Sequence, residues 1–168
     1  DAWLAILKQC IDRILACGYA GVVYDVVDAF AYWEKSGEWT AKARMKTLVA
    51  ELMAHGRSKL PAYIGIPNAG VDLLTDATYR SRITAQMRES VFYVGDEARS
   101  AADVEWATAY LDLVTADGKQ VFDIEYPEAL ASQKDAIRRS RAKGYVPYTT
   151  RPRLDVLGPV WQDVLKNQ

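Results

Sequence analysis

The chain has 168 residues, half of them hydrophobic and 26% charged, and its 21 basic and 22 acidic side chains leave a net charge of −1. This is the make-up of one soluble globular domain, long enough to bury about two-thirds of its unfolded surface. It excludes a transmembrane helix, since no apolar run approaches the ~20 residues a span needs, a nucleic-acid footprint, since there is no basic excess, and disorder, given the aromatic content and the Gly/Pro spacing.

Residues 3–16 set Trp3, Leu7, Cys10 and Ile14 on one stripe, joined by Leu4, Ile11 and Leu15, which predicts an amphipathic helix. On that helix the Cα atoms of Cys10 and Cys17 would stand about 10.5 Å apart, beyond the ~7 Å a disulfide spans, so both are expected as small core residues. Gly18 suits the helix end, and Gly21-Val22-Val23-Tyr24 reads as a short, wholly apolar strand that stops at Asp25. A second helix is predicted over 40–54, with Met45, Leu48, Val49, Leu52 and Met53 inward and His55-Gly56 closing it. A second strand follows over 61–66, ending at Pro67-Asn68, then a short helix over 75–82. The third strand lies within 84–93, where the apolar pattern favours Val91-Phe92-Tyr93. Ser100 with Asp103 forms a capping box that opens a helix with Val104, Ala107, Leu111 and Val114 inward. Asp117-Gly118 is a turn, and a fourth strand over 121–124 ends at Glu125. A helix over 132–143, capped by Gly144, leads into a fifth strand over 145–148, and a last short helix lies beyond Arg151. Helix and strand alternate five times without a linker, which predicts one α/β domain on a parallel sheet.

In parallel α/β folds the site lies at the carboxyl ends of the strands. There the sequence offers Asp25 and Asp28, Asn68, Glu89 or Asp96, Glu125 and Tyr148. Acids at the mouth of an apolar sheet are costly unless hydrogen-bonded or used. Two carboxylates flanking a bond are the equipment of glycoside hydrolysis, one donating a proton and the other attacking or activating water. The first loop is aromatic, with Phe30, Tyr32, Trp33 and Trp39, and reads either as local core or as a platform for sugar rings. Other chemistries lack their motifs. There is no glycine-rich phosphate loop and no nucleophile elbow. One histidine and no Cys-x-x-Cys pair leave no Cys/His zinc site. His55 reads as a structural residue near a helix end, and the run Arg138, Arg139, Arg141 and Lys143 as a solvated face. The opening Asp1-Ala2-Trp3-Leu4 lacks the basic segment of a secretory leader.

The stretch Val22-Val23-Tyr24-Asp25-Val26-Val27-Asp28-Ala29-Phe30-Ala31-Tyr32-Trp33-Glu34 resembles a motif of the endo-α-1,4-polygalactosaminidase-like glycoside hydrolases, a TIM-barrel group related to a cysteinyl-tRNA-synthetase set. Further on, Ile66-Pro67-Asn68-Ala69, Arg88-Glu89-Ser90-Val91-Phe92-Tyr93, Val121 to Tyr126 and Gly144-Tyr145-Val146-Pro147-Tyr148 are similar to later motifs of that family, in the same order. The resemblance implies a (β/α)8 barrel acting on an amino-sugar polysaccharide, without cofactor or metal, in an exported protein. Carried over, Asp25 is the nucleophile or base and Glu89 the proton donor. Asp28, Asn68, Glu125 and Tyr126 line the same mouth, and Trp33 and Tyr93 contact the sugar. It also moves the third strand to about residues 84–88. The family's amide motif has a glutamine where Pro67 stands, and an acid where Ser90 stands. Nothing matches its earlier acid-bearing strand. A full barrel takes about 250 residues, so the five βα units read as the C-terminal five-eighths of one, either a trimmed piece or one with a partner chain over the open sheet edge. Two other readings stay open: a barrel relic that binds glycans without cutting them, and an unrelated flavodoxin-like domain with strand order 2-1-3-4-5.

Overall fold

A computed structural model describes residues 2–155 and 157–166. The chain divides into two compact units, residues 1–85 and 86–168.

In the first unit, helix α1 (Ala2–Ala16) leads into strand β1 (Gly21–Tyr24), helices α2 (Phe30–Lys35) and α3 (Ala41–Lys59), strand β2 (Ile64–Pro67) and helix α4 (Ala77–Arg82). β1 and β2 pair in parallel from Gly21↔Ile64 to Tyr24↔Pro67. The inward face of α1 is turned from the expected one. Ile11 is buried and Leu4, Leu7, Ile14 and Leu15 half-buried, whereas Trp3 and Cys10 are exposed. Residues 3, 10 and 17 share a line seven apart, so Cys17 goes with them, and both cysteines are free and exposed rather than core. His55 is structural as read: its Nε2 lies 2.8 Å from Asp12 Oδ1 on α1. His55-Gly56 does not close α3, which runs on to Lys59. Gly56 is a contact surface instead, since a Cβ there would meet the ring of Tyr63. Tyr63 is drawn into the core, and for that reason the strand predicted from residue 61 begins only at Ile64. The helix expected over 75–82 resolves into a 3₁₀ turn (Val71–Thr75) and α4. Asp76 caps α4, its Oδ1 accepting the N–H groups of Thr78 (2.9 Å) and Tyr79 (3.2 Å).

In the second unit, strand β3 (Gln86–Glu89) precedes a two-residue hairpin of β4 (Tyr93–Val94) and β5 (Glu97–Ala98). Helix α5 (Ala101–Ala116), strand β6 (Val121–Glu125), helix α6 (Leu130–Ala142), strand β7 (Val146–Thr149) and helix α7 (Trp161–Lys166) follow. The sheet order is β3-β6-β7, all parallel. Ser100 caps α5 as expected, accepting from the Asp103 N–H (3.1 Å) and donating to its carboxylate (2.8 Å). The apolar pattern misplaced the third strand. The polar stretch Gln86–Glu89 forms β3, while Val91, Phe92 and Tyr93 are buried just beyond the strand's end. Gln86 is fully enclosed and its side-chain amide donates to the Met87 carbonyl (2.8 Å), a burial that the alternation rule does not foresee.

Candidate active site

Side chains alternate across a strand, and paired residues share a face. In the second unit the ladder therefore sets Glu89, Ile124 and Tyr148 on one face, and Arg88, Asp123, Pro147, Glu125 and Thr149 on the other. This separates two acids that the sequence placed together. Glu89, half-buried, ends β3. Glu125 is 0% exposed, and its two oxygens accept the N–H groups of Phe92 (2.7 Å) and Tyr93 (3.2 Å). A substrate contact was expected of Glu125; its place here is behind the sheet end, holding the loop that follows Glu89. Tyr93, also expected against sugar, is buried and donates its hydroxyl to Asp135 on α6 (2.7 Å). Tyr126 is half-buried just past β6. Asp96, the other acid considered for this strand end, caps the entry to α6 by accepting the N–H groups of Glu128 (2.9 Å) and Ala129 (2.8 Å).

In the first unit Asp25 lies exposed just past β1. Its Oδ1 accepts the Val26 N–H (2.7 Å) and the Asn68 side-chain amide (2.9 Å). Asn68 is buried, and its own N–H reaches the Tyr24 carbonyl (2.8 Å). Sequence reasoning gave these two residues to one mouth, and they are joined directly. Beneath them the Tyr24 and Tyr63 hydroxyls meet at 2.7 Å, and burial raises both phenol pKa values. Asp28 is exposed on a 3₁₀ turn (Val27–Ala29). The aromatic loop divides between its two readings: Phe30 is core, whereas Tyr32, Trp39 and Trp33 (56% exposed) are not. Trp33 lines a cavity of about 430 Å³ with Trp3, Phe30, Met45 and Leu48.

One feature at these strand ends has no signal in the sequence. Asp25, Asn68 and Glu89 are each followed by a non-glycine residue in the left-handed region: Val26 (φ 57°), Ala69 (φ 63°) and Ser90 (φ 54°). Only one other such residue, Leu154, occurs among the described residues. For a β-branched valine this is a genuine outlier, and strain of this kind gathers at functional sites. The left-handed form costs an L-residue about 1–2 kcal/mol, while glycine's extra chain entropy costs about 0.5–1 kcal/mol. Because Val26 is exposed, Val26→Gly is expected to leave the melting temperature equal or raised by up to about 6 °C, at about 2–4 °C per kcal/mol. A thermal melt checks it, and a fall of several degrees would contradict it.

Sequence reasoning also missed Asp123. It is fully buried on β6, two residues before Glu125. Burial first, and then the Glu125 charge, push its carboxyl well above the usual range, and neither of its oxygens has a hydrogen-bond partner among the described residues. Nearby, Tyr145 donates its hydroxyl to Asp112 (2.6 Å). The Glu125 pKa is raised less, because the N–H groups of Phe92 and Tyr93 oppose its burial. Of the pair, Asp123 is therefore the acid that takes a proton more readily. Since the folded pKa is raised, the stability tied to that proton is full below the unfolded value, about 3.9, and drains away as pH climbs toward the folded value. Asp123→Asn keeps a donor and has no charge to bury. The variant should melt like the wild type near pH 4 and increasingly above it toward pH 8. The gain should widen steadily as pH rises, as linkage to the raised carboxyl requires. A constant offset across pH would rule the account out. The alternation Val121-Phe122-Asp123-Ile124-Glu125 carried the signal that both acids share a face, but not which face.

Among the described residues no group of three or more His, Cys, Asp or Glu is arranged to hold a metal ion, and no helix is long and apolar enough to cross a membrane.

A parallel α/β fold with acids at the carboxyl ends of its strands has the architecture of a barrel glycosidase. The chain belongs to Glycoside-hydrolase family GH114, whose profile it matches over residues 1–166. It is 34% identical over 157 residues to a protein of Deinococcus radiodurans, covering 93% of this chain and 50% of that one. It is 31% identical over 175 residues to a protein of Methanocaldococcus jannaschii, covering 95% of this chain and 50% of that one. Among solved structures it is similar to the glycoside hydrolase domain of PelA from Pseudomonas aeruginosa, with a TM-score of 0.75 and 25% identity over 94% of this chain and 63% of that domain. The fold is thus of the TIM-barrel type, and the flavodoxin-like reading is set aside. The chain spans about half the length of the curated relatives it matches.

Proposed function

We propose that Asp25 and Glu89 are the two carboxylates of a glycoside hydrolase that cleaves an amino-sugar polysaccharide of galactosamine type. The observation that carries this is the strained turn after each strand-end group, at Val26, Ala69 and Ser90. Such turns persist only where the surrounding structure holds them, and here they follow the residues that the family resemblance marks. In this reading Glu89 gives its proton to the leaving glycosidic oxygen. Asp25 attacks the anomeric carbon or takes a proton from water. Asn68 and the Val26 N–H bind only Oδ1 of Asp25, so Oδ2 remains for the reaction. Asp28 and Trp33 contact the sugar from the first loop, and Tyr126 from the end of β6. The Glu125 carboxylate acts one step removed, by fixing the loop after Glu89. A polysaccharide substrate would place the protein outside the cytoplasm.

The test is incubation of the protein, at its full natural length, with galactosaminans of differing N-acetylation, reading new reducing ends. Release that stops with Glu89→Gln supports the proposal. Tight binding with no release from any of the polymers would replace hydrolysis with carbohydrate binding alone.

A further inference from the structure

The strained turn after Glu89 is held by a side chain that has no part in the chemistry proposed for that acid. Arg99 directly follows β5, and its Nε donates to the carbonyl of Ser90 (2.6 Å). Its main-chain N–H donates to the carbonyl of Phe92 (2.8 Å). An arginine drawn in from solvent is ordinarily paired with an acid. Arg99 is half-buried, yet among the described residues no carboxylate pairs with it. Its charge is directed at a main-chain carbonyl instead.

That carbonyl belongs to the residue whose backbone is strained directly after Glu89. Ser90 is left-handed (φ 54°), while its N–H continues the ladder to the Ile124 carbonyl (2.8 Å). A residue in this region relaxes unless its surroundings hold it, and relaxation here would swing the peptide that joins Glu89 to the loop. A hydrogen bond from a charged donor is roughly twice as strong as a neutral one, and arginine stays charged at every working pH. Glu125 and Arg99 thus grip the same loop in opposite senses. The anion takes the N–H groups of Phe92 and Tyr93, and the cation takes the carbonyl of Ser90. We infer that Arg99 is a positioning residue, which fixes the Glu89 carboxyl at the strand end by holding the Ser90 carbonyl. The inference rests on the reading of Glu89 as proton donor.

The test compares Arg99→Met, which keeps the side-chain stem and the main-chain N–H, with the wild type, both at full natural length. On a galactosaminan, kcat should fall by about 10²-fold, the cost of a reacting group misplaced by ~1 Å, with KM nearly unchanged. On an aryl glycoside whose phenol departs without protonation, much of that loss should disappear, because the bond breaks without the acid. A merely structural fastening would lower both rates alike. Amide hydrogen exchange reads the grip itself, and the N–H groups of Ser90, Phe92 and Tyr93 should exchange faster in Arg99→Met. Equal losses on the two substrates, a wild-type kcat on the polymer, or unchanged exchange at those amides would each overturn the inference. The two ideas fail separately. If the wild type cuts nothing, or Glu89→Gln keeps its full rate, the proton-donor reading falls, and exchange still decides whether Arg99 holds the turn. If Glu89→Gln is inactive while Arg99→Met is not, the positioning role falls and the reading of Glu89 stands.

Discussion

Glu89→Gln is expected to lower hydrolysis of a natural polymer by about 10²–10⁴-fold, the usual contribution of a general acid. The substitution keeps the shape of the side chain and leaves the β3 ladder untouched. Glu89 pairs with Ile124 through backbone groups, and the next N–H, from Ser90, reaches the Ile124 carbonyl (2.8 Å). The melting temperature should therefore hold within a few degrees. Asp25→Asn should be at least as damaging, because an amide neither attacks a sugar carbon nor takes a proton from water. The leaving group separates the two roles. With an aryl glycoside whose phenol departs without protonation, Glu89→Gln should regain much of the lost rate and Asp25→Asn should not. Wild-type rates in both variants would remove these residues from the reaction.

Gly21→Ala should have the largest effect on folding. A Cβ at position 21 would fall on the carbonyl oxygen of Ile64, and within 2.6 and 2.8 Å of its carbonyl carbon and Cα. All three atoms are backbone of the strand paired with Gly21, so no rotamer change relieves the clash, and β1 must leave its partner. We expect a loss of more than about 3 kcal/mol, in the upper range for single substitutions, or about 6–12 °C of melting temperature. Gly65→Ala is the informative control. Its new Cβ would meet Met53 Sδ, with Met53 Cε and Tyr24 Cε2 at 3.0 Å, and these are side chains that can move. Its cost should be smaller, and it should be partly relieved by Met53→Ala. Equal losses at the two positions would contradict this distinction.

The alternation of helix and strand was legible because β1 and the start of β6 are short apolar runs that turn glycines set off from the helices before them. Asp25 was legible because it ends the purest of those runs. β3 was not, because its buried side chains include a glutamine, while the more strand-like Val91-Phe92-Tyr93 is buried where the chain turns from β3 into β4 for a different reason, the amides of Phe92 and Tyr93 being held by Glu125. The family resemblance, not the pattern, placed that strand. The outward turn of Trp3 and Cys10 was hidden because two candidate stripes on α1 overlap at Leu7 and Ile14. The strained turns were unreadable in principle, since valine is among the last residues that a left-handed backbone suggests.

The grip of Glu125 on Phe92 and Tyr93 separates the shape of that loop from its side chains. A carboxylate here stands in for the carbonyls of a neighbouring strand, so what it fixes is main chain, and main chain is common to every residue but proline. Replacements at 92 and 93 that still fill the space can thus accumulate without shifting the backbone after Glu89. A lineage could retune what the loop presents while inheriting the geometry unchanged.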